Sequence, residues 1–190
     1  METENQILST QQSLDIITKM IRQAHGNVKR SSIYLILWGA VITLANLGMF
    51  GLMWSEYPRP YLVWLIAVPA WILTIYISYR RGKNVSARSH LDRINAILWY
   101  SYGIAIFTLT FFGYKINYQL NPIILIVSAI PTFVSGTIIK FRPLAIGGIL
   151  LWVFGILCFL VGGPWQYLLG AIAVTSGYLI PGLMLRNNPD

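Results

Sequence analysis

The sequence predicts an all-α membrane protein of six transmembrane helices, and three observations carry that reading. Hydrophobic residues make up 56% of the chain and charged residues only 11%, against about 25% charged in an ordinary soluble domain. The apolar residues fall into six runs, Ser32–Trp54, Tyr61–Tyr79, Ile94–Tyr114, Leu120–Ile139, Pro143–Val161 and Trp165–Leu185, with no Asp, Glu, Lys, Arg or His inside any of them. The patterning within each run is continuous rather than alternating. A helix of about 20 residues crosses a bilayer with every backbone group satisfied, whereas a barrel strand would alternate.

Charge then sets the expected orientation. Lys19, Arg22, Lys29 and Arg30 precede the first span, and Arg80, Arg81, Lys83, Arg88 and Arg93 follow the second. Lys140 and Arg142 follow the fourth, and Arg186 ends the sixth, leaving only Arg59 and Lys115 on the other side. So uneven a split over short loops places both termini in the cytoplasm. The net charge of +8 is therefore read as topology rather than as an affinity for nucleic acid. Three segments follow: residues 1–31, a cytoplasmic amphipathic helix and basic linker; residues 32–185, the transmembrane domain; and residues 186–190, a cytoplasmic tail.

The odd spans share a pattern, with Trp38, Trp99 and Trp152 each preceded by two aliphatic residues. Pro69 and Pro131 lie near the middle of the second and fourth spans and Pro181 lies further along the sixth, and a basic residue, Arg80, Lys140 or Arg186, follows each of these helices. This suggests three tandem in–out–in hairpins, although interfacial Trp and intramembrane Pro are common in unrelated helices. Before the first span, Leu14, Ile17 and Ile21, joined by Ile16 and Met20, recur at helical spacing opposite Gln11, Gln12, Asp15, Lys19 and Arg22. The spacing predicts a helix capped at Thr10 and stopped at Gly26. Such a helix lies in the membrane interface or docks on a partner.

Candidate site residues are the neutral polar groups inside the spans: Asn46 in the first, Ser101 and Tyr102 in the third, Ser128 and Thr132 in the fourth, with Ser135 on the same stripe, and Thr175, Ser176 and Tyr178 in the sixth. They line a small neutral cavity or, alternatively, serve only as hydrogen-bonding glue between helices. An unpaired amide is costly in hydrocarbon, which singles out Asn46. Acid–base catalysis needs positioned titratable groups, and none lies in a span. No metal-ligand spacing and no phosphate-binding glycine loop is present, so no cofactor, no metal and no enzymatic activity are expected. The expected partners are the lipid bilayer and a cytoplasmic or membrane protein meeting residues 10–25 and the Arg80–Arg93 loop. The expected role is a membrane-embedded partner, sensor or scaffold, with a transporter or binding component for a small neutral solute as the alternative.

Several strings carry a resemblance: Ser13–Ile21, Tyr34–Gly39, Pro131–Pro143 with Gly147 and Gly148, and Gly177–Gly182. Together they resemble a family of uncharacterised six-span inner-membrane proteins of Bacteroidetes-type bacteria. That resemblance implies a bacterial inner membrane and six helices, and it brings no activity. Ala40, Ala45 and Gly48 partly resemble the small-residue motif by which substrate-binding components of vitamin transporters dock a coupling subunit.

Overall fold

A computed structural model describes the backbone of residues 10–82, 90–116 and 119–187, and the side chains of residues 32–80, 91, 93–116 and 119–187. Helix α1 runs Thr10–Trp54 and α2 runs Ala67–Gly82, the latter entered through a 3-10 stretch at Pro60–Ile66. Then come α3, His90–Phe111; α4, Leu120–Ile138; α5, Arg142–Val161; and α6, Trp165–Val174. A π turn at Thr175–Leu179 joins α6 to α7, Ile180–Asn187, so that these three pieces form one continuous span. Six helical segments are long and apolar enough to cross a membrane, and they overlap the six apolar runs to within three residues at either end.

Helix α1 departs from expectation. It continues through Gly26 without a break and is 45 residues long. A glycine inside a helix costs only about 1 kcal/mol relative to alanine, and no proline follows to enforce a stop. Segment 10–31 is therefore a helical continuation of the first span rather than a separate helix, and the boundary drawn at residue 31 falls inside one element.

The composite helix α6–α7 is the hub. It packs on α1 along one side and on α5 and α4 along the other. Leu35, Leu125, Leu144, Leu151, Val174 and Tyr178 form the middle of the core. Helix α2 packs on α1 and α3 on α4, and neither packs extensively on any other span. No residue of the α3 span is buried; Tyr100, Ile104 and Phe107 lie outermost. An exposed apolar outer face of this kind is what a lipid solvent requires of a peripheral helix.

The prolines account for the irregular turns. Pro181 has no N–H for the Gly177 carbonyl, and just upstream the Ile180 N–H reaches back five residues to the Thr175 carbonyl, which widens the helix locally. The 3-10 winding before α2 likewise precedes Pro69. Between α4 and α5, Lys140 adopts a left-handed conformation at φ 54°. The Phe141 N–H bonds Gly136 O at 2.9 Å and the Lys140 N–H bonds Thr137 O at 3.2 Å, the pairing of a Schellman cap with lysine where glycine is usual. The reversal brings α4 and α5 into the closest contact in the bundle.

Candidate functional site

Helix α4 supplies the polar spine. Asn121, Ser128, Thr132 and Ser135 are all buried on one stripe, at helical spacings of seven, four and three. The Ser128 hydroxyl donates to Ile124 O at 2.5 Å and that of Thr132 to Ser128 O at 2.6 Å. With its own proton so committed, the Ser128 oxygen accepts from the Tyr102 hydroxyl at 2.7 Å. The Thr132 hydroxyl also lies 3.3 Å from that of Tyr178. One turn on, the Trp99 indole N–H donates to Ser135 Oγ at 3.0 Å, and Ser135 donates to Asn95 Oδ1 at 2.6 Å. The Trp99 ring meets Tyr102 edge-on at 5.5 Å. Tyr102, Ser128, Thr132 and Tyr178 thus form one network joining α3, α4 and α6–α7, and its hydroxyls bond to one another or to the backbone.

A second polar group lies toward the end of the bundle where α4 begins and α5 ends. Asn46 of α1 is fully buried and its Nδ2 donates to Ile42 O at 2.9 Å. Asn121 Nδ2 donates to Gln166 O at 2.8 Å, and the Cys158 thiol donates to the same carbonyl at 3.2 Å. Gly170 lies between the two amides: a β-carbon there would stand 2.7 Å from Asn46 Oδ1 and 2.8 Å from Asn121 Nδ2. Asn46 Oδ1 is buried and meets no donor among the described residues.

Of the remaining candidates, Thr175 bonds Thr43 across α1 and α6–α7 at 3.2 Å, and Ser176 donates to Ile172 O and Ala173 O. Both border an apolar crevice of about 270 Å³ between α1 and α6–α7, lined also by Leu47, Leu168, Ile172 and Ile180. Ser101 is exposed on α3 and joins neither group. Sequence reasoning missed Asn121 in the second polar group, and Asn95 and Trp99 as partners of Ser135. Asn121 was visible as the residue seven before Ser128 on the same stripe, whereas Asn95 and Trp99 are paired with Ser135 only by the α3–α4 packing.

The arrangement offers neutral donors and acceptors and no activated nucleophile. Among the described residues no group of three His, Cys, Asp or Glu could hold a metal. Cys158, the only cysteine in the chain, is 1% exposed. In the folded protein it is expected to resist maleimide for hours and to react within minutes once SDS opens the bundle; rapid labelling without denaturant would contradict this packing. No family model matches the sequence, and neither a curated protein nor a solved structure matches the chain.

Proposed function

We propose that this is a non-enzymatic scaffold or sensor of a bacterial inner membrane, with both termini cytoplasmic and the amphipathic half of α1 as its working surface. The observation that carries this reading is the unbroken 45-residue helix. Thr10 stands about 33 Å from Ser32 along such a helix at 1.5 Å per residue, so any load on the N-terminal half is transmitted to the hub. The Thr43–Thr175 and Trp38–Thr74 bonds support the same reading, because they tie the span that carries this lever to α6–α7 and to α2. Deletion of residues 2–26 is expected to leave membrane insertion intact and to remove the protein's partners from an in-cell cross-linking pull-down. An unchanged set of partners would sink the proposal.

The hairpin pattern is narrower than three repeats, on our reading. The Trp38 indole donates to Thr74 at 3.1 Å as the Trp99 indole does to Ser135, and in both pairs the acceptor lies 36 residues downstream. Trp152 instead lies against Phe133, ring centres 6.2 Å apart. We infer two related hairpins, residues 32–82 and 93–141, and a divergent third.

The crevice beside the π turn favours a second reading, a binding component for an apolar or neutral solute, since it opens at mid-span where a fixed charge is lacking. A ligand seated there would raise the thermal stability of the purified protein, and Leu47→Trp, at a position 42% exposed, would abolish the shift. A ligand whose stabilisation survives Leu47→Trp would not bind in this crevice.

A further inference from the structure

The seam between α1 and α6–α7 is closed at both ends and gapes between them. At one end Trp54 and Trp165 meet edge-on, ring centres 5.6 Å apart. At the other, Gly39 meets Leu179 so closely that a β-carbon on the glycine would stand 2.9 Å from the Leu179 nitrogen. Between these contacts lies the crevice of about 270 Å³. The π turn shapes it. Its wider winding lets Leu179 face Gly39 while Ile180 continues the row of Leu168, Ile172 and Ser176 along the crevice. From Leu168 to Ile180 that row covers about 18 Å at 1.5 Å per residue.

The walls select what fills the space. Their hydroxyls bond within the protein: Thr43 and Thr175 pair with each other, and Ser176 donates to Ile172 O and Ala173 O. A polar solute therefore gains little there, whereas hydrocarbon gives up nothing. The opening is lateral. Leu47, Ile172 and Ile180 are exposed on the sides of apolar spans, while the two tryptophans cover the end nearer to water. Entry is from the bilayer.

Size narrows the choice further. The volume holds about nine groups of the size of a methylene, at the ~30 Å³ that a water takes up. Spread along the row, that is the width of one hydrocarbon chain. A helix of a second copy, about 10–12 Å across with its side chains, is too thick to enter. Left unfilled, the crevice would deny its lining the contacts that packing supplies, and between apolar partners in lipid packing is what decides association.

We propose that this crevice holds one acyl chain of a phospholipid from the leaflet in which α6 begins, with the headgroup beside Trp54 and Trp165, at the level where tryptophan gathers in membranes. That leaflet is the one that fits, because the row starts three residues into the Trp165–Asn187 span and stops just past its middle. On the orientation proposed above it is the outer leaflet. The inference rests on the second reading above and replaces its unnamed solute with a membrane lipid.

The test places the full-length protein in phosphatidylcholine liposomes doped with a phosphatidylcholine that carries a diazirine midway along one chain. After illumination, the cross-linked residues are mapped by mass spectrometry. Labelling of Leu47 and Ile172 is expected to exceed by about fivefold that of Ile149 and Ile156, which are at least as exposed on α5. Leu47→Trp and Ile172→Trp each fill the crevice, and each is expected to bring the unaltered wall residue down to the α5 level. Leu44→Trp, on the exposed face of α1 outside the crevice, should leave the excess in place. Even labelling of the two helices, or an excess that survives both fillings, would overturn the proposal. So would displacement of the label by palmitate, which would assign the crevice to a free fatty acid, or a disulfide between two copies of Leu47→Cys, which would assign it to a second copy. If labelling is even while an added apolar compound still stabilises the protein and loses that effect in Leu47→Trp, the second reading stands and the acyl-chain occupant falls.

Discussion

Gly148→Val is expected to destabilise the bundle by about 3 kcal/mol or more, the upper range for forcing volume into a packed interior. A β-carbon on Gly148 would stand 2.7 Å from the Phe133 nitrogen and 2.8 Å from its Cα. Those are backbone atoms, so no rotamer change relieves the contact; α4 and α5 must separate. They form the most closely packed pair in the protein, and their tight three-residue connection limits how far they can part. Valine's two extra methyl groups enlarge the clash, and the gain in helix propensity over glycine is under about 1 kcal/mol. Equilibrium unfolding in mixed micelles, read through Cys158 labelling, would measure the loss. Gly103→Val is the control: a β-carbon there meets nothing within 4 Å, and its effect is expected to stay within about 1 kcal/mol of the parent. Equal losses at the two positions would show that the close approach of α4 and α5 is not what holds them.

Gly170→Ala is expected to cost about 2 kcal/mol, because its methyl group would press on Asn46 Oδ1 and Asn121 Nδ2 at once. Asn46→Ala by itself is expected to be nearly neutral, within about 1 kcal/mol. It gives up one bond to Ile42 O, worth about 0.6 kcal/mol in membrane helices, and it removes a buried oxygen that has no donor, whose desolvation costs about 1–3 kcal/mol. The double variant should therefore recover at least half of the Gly170→Ala loss, a coupling of about 1 kcal/mol in a double-mutant cycle. Strict additivity would mean that the two residues do not meet in the membrane as they do here.

The six spans were legible because lipid imposes one simple condition, an unbroken apolar run long enough to cross, and composition records it directly. The irregular turns were half legible. Pro69 and Pro181 mark where hydrogen bonds are missing, but whether the chain tightens into a 3-10 stretch or widens into a π turn depends on what packs beside it. The end of the N-terminal helix was misjudged at Gly26, because a local glycine penalty is small beside the gain of propagating an existing helix. Among the polar positions, buried Ser128 and Thr132 stood out as hydroxyls at helical spacing. Exposed Ser101 was named only as a hydroxyl inside an apolar run, and a residue's type does not say which way its helix is turned.

By itself, then, the sequence determined the number of spans, their approximate limits and the neutrality of their interior, all of which follow from transfer free energies that depend on residue type alone. Only the tertiary structure decided that α6–α7 is the hub and that Asn46 and Asn121 converge on Gly170. Those facts depend on the rotation and depth of each helix. Rotation is set by where small residues such as Gly136 and Gly148 let backbones touch, and that is a property of pairs of helices rather than of either one.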